Sequence, residues 1–442
     1  MDFIHGKIRP IYFKYLAAAF GSALVTSIYS IVDMAMVGQY QGPDGTAALA
    51  VVAPIWNIIY SLGLLMGIGG AVIFSTIKGQ GSQKDDEAGE VFTVSVIGSI
   101  LLAFLLSWFV IVVFDQPLLT FFGAEKNLLP LGLSYLKPIQ FVVPCFLFNQ
   151  MLAAYLRNDN DPALATAGAL SGGIFNIFGD YVFVFVFDMG IYGAGLATAI
   201  GAVISTLVML THFLKKSNTL KLVRPKHFMA RLSQITVTGF STFFIDVAMG
   251  ILTILFNRQI MKYLGTNALS VYGIIVNIST FVQCCAYSVG QAAQPIISVN
   301  FGAHQPQRIQ EVLKYALMSV TFFSLLWTAL SLFAPMLFVR IFMTPTPEIM
   351  KIAPWIIRCY GLSFLLLPFN IFSTYYFQAI LKPRSAFIVS VSRGLVISGV
   401  LIFILPLINP NALWLAMVLT EIIVAIYAVV SMIKYTRHLS TQ

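Results

Sequence analysis

The chemistry this chain can perform rests on a few carboxylates set in apolar surroundings. Asp33 interrupts the run SIYSIVDMAMVGQ, Asp180 lies in GGIFNIFGDYVFVF, Asp246 in STFFIDVAMG, and Glu421 stands within the last apolar segment. An acid at the centre of a membrane helix costs roughly 2.5–3.5 kcal/mol on insertion scales, so acids kept there are candidates for handling ions or protons. Asn176 precedes Asp180 by one helical turn, which places carboxamide and carboxylate on one face. Two such oxygen-bearing side chains make half of a site for a small hard cation, and a carboxylate desolvated beside another is suited to carrying a proton. Position ranks Asp33 and Asp180 first; Asp246, nearer the start of its segment, and Glu421 follow.

Other reactive patterns are missing. There is no G-x-x-x-x-G-K-[ST] loop, no H-E-x-x-H and no G-x-S-x-G elbow, which argues against ATP hydrolysis and against an embedded enzyme. His5, His212, His227, His304 and His438 all fall in connections or at segment ends, so a buried imidazole relay is not expected. Cys145, Cys284, Cys285 and Cys359 lie in apolar segments and read as small buried hydrophobes, not as a disulfide framework or a metal knuckle. No cofactor is expected beyond a coupling ion.

These acids need elements to hold them. Of 442 residues, 58% are hydrophobic and 10% charged, and the mean hydropathy is +0.87. That balance belongs to an all-α polytopic membrane protein. Apolar stretches of about 20 residues recur, each long enough to cross a hydrocarbon core as a helix, whereas a β-barrel would show short alternating segments. Glycines, prolines and charge clusters divide the chain into about twelve spans, the first near 15–37 and the fourth near 129–156. Lys7, Arg9 and Lys14 before a long apolar run mimic a signal peptide, but the run is too long and lacks a small-x-small cleavage site, so it reads as a retained span.

A net charge of +9 would suggest nucleic acid in a soluble chain. Its placement says otherwise. About eighteen Lys and Arg of the connections fall on the side of the termini and about four on the other, which predicts both termini in the cytoplasm of a plasma (inner) membrane protein and no nucleic-acid partner.

The longest basic connection, KKSNTLKLVRPKHFMARL, divides the chain nearly in half. A shift of about 220 positions lays GTAALAVVAPIWNII over GTNALSVYGIIVNIS and Gly70 over Gly290; a shift one longer lays Pro162, Ala165, Ser171 and Gly173 over Pro383, Ala386, Ser392 and Gly394. The pattern predicts an N-terminal six-helix lobe over 1–214, a basic connecting loop over 215–231 and a C-terminal six-helix lobe over 232–442. Six spans restore orientation, so the repeats are expected to be parallel, with a cavity between them.

In these segments the chain resembles the multidrug and toxic compound extrusion (MATE) family of cation-coupled exporters. DMAMVGQYQGPDGTAALA is similar to the end of the family's first helix and GLLMGIGGAVIFSTIKGQG to its second. FNIFGDYVFVF and MGIYGAGLATAIG resemble the fifth and sixth, and YGIIVNI through GQAAQPIISVNFGAHQ the eighth. The match is closest to the DinF-like branch with the MepA-type pumps. The resemblance implies two six-helix lobes and export by antiport with H+ or Na+. It also implies a cation-coupling set of Asp33, Asn176, Asp180 and Thr198, which would take Na+ if the ion is a metal. Thr26 and Tyr29, on the helix face of Asp33, are expected to look into the substrate cavity, with Asn149, Gln150 and Asp246 as further lining residues. Small organic cations are the implied substrates, the lipid bilayer is the surrounding partner, and a monomer is expected.

Two departures stand out. The first helix often carries a proline in the family, but this span has Ala18 in that region and only Pro10 before it; the tenth span lacks the acid of the NorM branch. A lipid-linked oligosaccharide flippase of the wider superfamily is the alternative transporter, against which the deep acids argue. A receptor or embedded enzyme is the alternative of another class, against which the short loops and the missing catalytic constellation argue.

Overall fold

The computed structural model describes residues 3–122, 124, 126–342 and 345–439, with the side chains of Thr26, Ser30, Pro43, Ser82, Leu106 and Ser107 outside the described set. Among the described residues every regular element is helical. Helices close all their backbone hydrogen bonds within one segment, which is what an apolar solvent demands. In chain order they are α1 (Ile8–Gly42), α2 (Asp44–Gly79), α3 (Asp85–Val113), α4 (Asp115–Phe121), α5 (Leu129–Ile139), α6 (Val143–Asn158), α7 (Pro162–Val186) and α8 (Gly190–Leu214). The second half adds α9 (Phe228–Tyr263), α10 (Thr266–Gly302), α11 (Pro306–Phe333), α12 (Pro335–Phe342), α13 (Pro347–Ala379), α14 (Pro383–Ile408) and α15 (Pro410–Leu439).

Eleven of these are long and apolar enough to span a membrane, and α5 with α6 makes a twelfth, bent by 61°. The fourth span is therefore broken, where the sequence suggested one continuous stretch. Its two prolines supply the reason: neither Pro138 nor Pro144 can donate a helical hydrogen bond, so the carbonyls of Ser134 and Gln140 lose their donors four residues on. Between α1 and α2 the chain turns at Gly42, whose φ of 68° and ψ of −155° suit only glycine.

The chain folds as two compact units, one of residues 17–243 and the other of residues 2–16 with 244–442. The first turns of α1 thus belong to the second unit and the first part of α9 to the first unit. In the second unit the N-terminal segment is tied down by polar bonds. Asn300 Nδ2 donates to the Phe3 carbonyl at 3.1 Å, Arg308 Nη2 to those of Phe3 and Gly6 at 2.8 and 2.7 Å, and Tyr12 to Ser319 Oγ at 3.0 Å. The repeat is visible in the element order, since the short helices α4 and α12 begin at Asp115 and Pro335.

In the first unit the start of α9 seats on α2 through bare backbone. A Cβ on Gly239 would lie 2.0 Å from the Leu65 carbonyl oxygen, and one on Gly69 would lie 2.2 Å from that of Ile235. Small residues let membrane helices approach this closely. Gly239→Ala is expected to destabilise the protein by about 1–3 kcal/mol through overpacking. Gly250→Ala, at a position with nothing within 4 Å of its Cβ, is expected to stay within about 0.5 kcal/mol. Thermal unfolding in detergent separates the two, and equal midpoints would show that α2 and α9 do not meet through Gly239.

Candidate functional site

The first unit gathers its polar residues where α1, α5, α7 and α8 converge, and glycines set the spacing. A Cβ on Gly172 of α7 would come within 2.6 Å of the Gly201 carbonyl oxygen of α8. One on Gly195 of α8 would come within 2.2 Å of the Tyr135 carbonyl oxygen of α5, and one on Gly173 within 2.7 Å of Val25 Cγ1 on α1. Thr166 of α7 further donates to the Ala18 carbonyl of α1 at 2.7 Å.

At that spacing side chains from four helices interlock. Tyr135 donates its hydroxyl to Asp33 Oδ2 at 3.0 Å and lies 3.5 Å from Thr198 Oγ1, while Asn176 Nδ2 donates to Thr198 Oγ1 at 3.0 Å. Asp180 follows Asn176 by one turn and is fully buried, and α7 turns π-helical over Tyr181–Val186 directly after it. Single π turns recur at functional positions in helices. Asp33 Oδ1, Asn176 Oδ1 and both carboxylate oxygens of Asp180 are buried without a hydrogen-bond partner among the described residues. Such a set, all acceptor and no donor, suits a proton or a small hard cation. Among the described residues no three His, Cys, Asp or Glu side chains cluster as a metal-ligand group.

The structure brings Asp33, Asn176, Asp180 and Thr198 together and adds Tyr135, which the sequence did not single out. A tyrosine in GLSYLKPIQF looks like any other membrane tyrosine, and only the α5–α8 contact gives it a role. The side chain of Thr26 lies outside the described residues. Tyr29 is half-buried, and its ring lies 3.3 Å from where a Cβ on Gly173 would stand.

Asn149, expected as a lining residue, also packs helices. Its Nδ2 donates to the Ala202 carbonyl at 2.9 Å and its Oδ1 accepts from Thr206 at 2.8 Å, so both ends of the amide tie α6 to α8. Neighbouring Gln150 packs on α2, its Cβ 2.7 Å from the Cβ position of Gly63. His212 corrects an expectation, because it sits at the end of α8 as foreseen yet is fully buried between Asp159 and Asp161.

The second unit solves its buried charges differently. Arg393, in a π-helical turn of α14, donates from Nε to Glu421 Oε1 at 2.7 Å; Asn370 Nδ2 donates to Glu421 Oε2 at 2.6 Å and to its carbonyl at 2.9 Å. Glu421, a candidate by position, is thereby a paired structural acid. The signal for its partner was in plain view, since an arginine inside SVSRGLVISG needs a buried anion. Asp246 accepts from Tyr287 at 3.0 Å in this same unit. Arg393, Tyr272, Tyr360, Gln283, Met249 and Met417 help line a small pocket in this unit.

The family model MatE matches residues 18–182 and again residues 240–404, one copy in each half. The chain belongs to the MatE family. This MatE chain is 26% identical over 382 residues to the multidrug export protein MepA of Staphylococcus aureus (strain MSSA476), covering 86% of this chain and 83% of the relative. It is 25% identical over 410 residues to MepA of Staphylococcus saprophyticus, covering 92% and 89%. Among solved structures, an outward-facing multidrug resistance MATE family transporter of the MOP superfamily superposes with a TM-score of 0.89 at 19% identity, over 100% of this chain and 98% of the other. A MATE structure described as bent and one described as straight both match with a TM-score of 0.89 and 19% identity, over 99% and 100% of this chain and 98% of each of the others. The MatE fold and membrane placement follow from these matches together with the spanning helices.

The Arg393–Glu421 pair makes a thermodynamic prediction. Arg393→Leu alone strands Glu421 and is expected to cost about 3–5 kcal/mol, whereas Arg393→Leu with Glu421→Leu removes both charges and is expected to recover most of that loss. Thermal unfolding in detergent reads both; a double variant no better than the single one would contradict the pairing.

Proposed function

We propose that this chain exports small, lipophilic organic cations in exchange for H+ or Na+, with the coupling ion bound by Asp33, Asn176, Asp180 and Thr198 in the first unit. One observation carries the reading: four acceptor oxygens of this set are buried with no donor among the described residues. A bare buried carboxylate is strongly disfavoured, so these oxygens need a proton or a cation to be stable. The names of the MepA relatives support the export of drugs.

In this reading the cycle is alternating access. With the binding site open outward, an ion binds between Asp33 and Asp180 and cancels one of their two negative charges; the organic cation loses part of its counter-charge and leaves. With the site open inward the ion departs, and the restored negative charge attracts the next substrate from the cytoplasm. Transport requires the ion to bind the two states with different affinity. Tyr135 holds the Asp33 carboxylate in place by its hydroxyl, and Asn176 holds Thr198, so the ligand oxygens are positioned before the ion arrives. Methionine and aromatic surfaces accommodate varied flat, lipophilic bodies, while the carboxylates select for positive charge. In this reading the chain works as a monomer, and the Lys and Arg distribution supports both termini in the cytoplasm.

The test is efflux of a cationic dye from proteoliposomes under separately imposed pH and Na+ gradients. Asp33→Asn and Asp180→Asn are each expected to abolish gradient-driven transport while eluting as folded monomers. Tyr135→Phe removes a bond to a charged group worth about 1.5–3 kcal/mol, and is expected to shift the ion concentration for half-maximal transport about tenfold or more. Normal coupling in both Asn variants would overturn the site assignment.

A further inference from the structure

The connection over 215–227, between α8 and α9, is an ordered strap on the first unit. Its backbone is bonded to acids and a hydroxyl of neighbouring helices. Thr219 N donates to Asp159 Oδ2 at 2.9 Å, Val223 N to Thr93 Oγ1 at 2.9 Å, and Lys226 N and His227 N to Glu90 Oε1 at 2.7 and 2.6 Å. Asn218 Oδ1 caps Leu220 N at 2.8 Å, and the Leu220 side chain is buried. Asp159 and Asp161 also clasp His212 at 2.6 and 2.9 Å, and Asp161 takes Lys215 at 2.5 Å. Burial works against the charge of Asp161, but the bonds from Lys215 and His212 outweigh it and hold the carboxyl below the usual carboxylate range. Glu87 pairs with Arg231.

The acids bonded to the strap are thereby engaged, and what the strap itself presents outward is of one sign. Lys216, Lys221, Arg224 and Lys226 are exposed, and none forms an ion pair among the described residues. Among and beside them are bare apolar side chains: Leu222 between Lys221 and Arg224 is 70% exposed, and the flanking Leu214 and Met229 are 86% and 73% exposed. Asp86, at the start of α3, is an exposed acid nearby. Cations flanked by exposed leucine and methionine at the end of a spanning helix match a surface that is anionic at headgroup level and apolar just beneath. A soluble anion would have no use for the leucines.

We propose that the strap is a docking surface for anionic phospholipid headgroups, with Lys216, Lys221, Arg224 and Lys226 holding the phosphates and Leu214 and Leu222 entering the acyl boundary. The buried bonds of Asp159, Thr93 and Glu90 fix the strap's height and hold its charges in one array. The proposal depends on the membrane placement of the chain and not on its ion coupling.

The experiment is hydrogen–deuterium exchange of the full chain in nanodiscs of phosphatidylcholine alone or with about 30% phosphatidylglycerol. Amides of 215–227 that are not already bonded are expected to exchange about threefold or more slowly with the anionic lipid, and salt near 0.6 M should erase the difference by screening. Replacing Lys216, Lys221, Arg224 and Lys226 by Gln should also erase it, while replacing the three lysines by Arg should keep it; unchanged exchange in α7 and α8 reports that the fold is intact. The salt titration needs no variant, so the proposal is testable even if the Gln variant misfolds. Equal exchange in the two lipids would overturn it, as would inorganic phosphate reproducing the protection in phosphatidylcholine discs.

Discussion

Helices α7 and α8 meet backbone to backbone at Gly172 and Gly201, with no room for a Cβ on either side. That contact sets the scale for the whole first unit. Two helices held so close can share short polar side chains, which is why Asn176 reaches Thr198 at 3.0 Å. Gly195 draws α5 onto α8 by the same device, bringing Tyr135 to Asp33. Were ordinary side chains to hold these helices apart by another ångström or two, the four polar residues would be isolated liabilities in apolar helices. In a membrane, where helix association gains nothing from excluding water, such close packing is the main attraction available.

The two units handle buried charge in opposite ways. In the second, Glu421 is closed off: an arginine nitrogen and an asparagine amide occupy its two carboxylate oxygens, and the charges cancel internally. In the first, Asp180 has no hydrogen-bond donor among the described residues, and Asp33 accepts from Tyr135. A fully paired acid gives structure and has little reason to change its charge. An under-satisfied one is stable only in company, and the identity of that company can differ between conformations. The asymmetry arises despite a repeated sequence, because the repeat conserves the helices and glycines and leaves the polar residues free to differ; Arg393 follows a serine where Gly172 follows one in the other half.

Much of this was legible in the chain. Hydropathy and punctuation gave the number of spans, and the shifted matches foretold what the paired MatE segments display. Asp33 and Asp180 were visible because a lone acid in apolar sequence is costly, and Asn176 because it lies one turn away. Tyr135 was invisible, since its role comes from a helix 102 residues distant in sequence. The break at the fourth span was marked by Pro138 and Pro144, yet nothing local says how sharply two prolines bend a helix. Asn149 looked like a cavity residue, and nothing local showed that both ends of its amide also bind α8. His212 was placed at its helix end, but burial there depends on the α6–α7 turn folding over it.

The sequence by itself determined that this is an all-helical membrane protein, because its apolar stretches are long enough to span as helices and lack the short alternation of a barrel, and helices close their backbone hydrogen bonds internally. It also determined which acids are expensive. Only the tertiary structure decided which of them are paired, since pairing depends on helix spacing, and spacing on which glycine meets which backbone across the interface. Asp180 and Glu421 are both acids in apolar sequence, and whether such an acid finds a partner is decided by the helices packed around it.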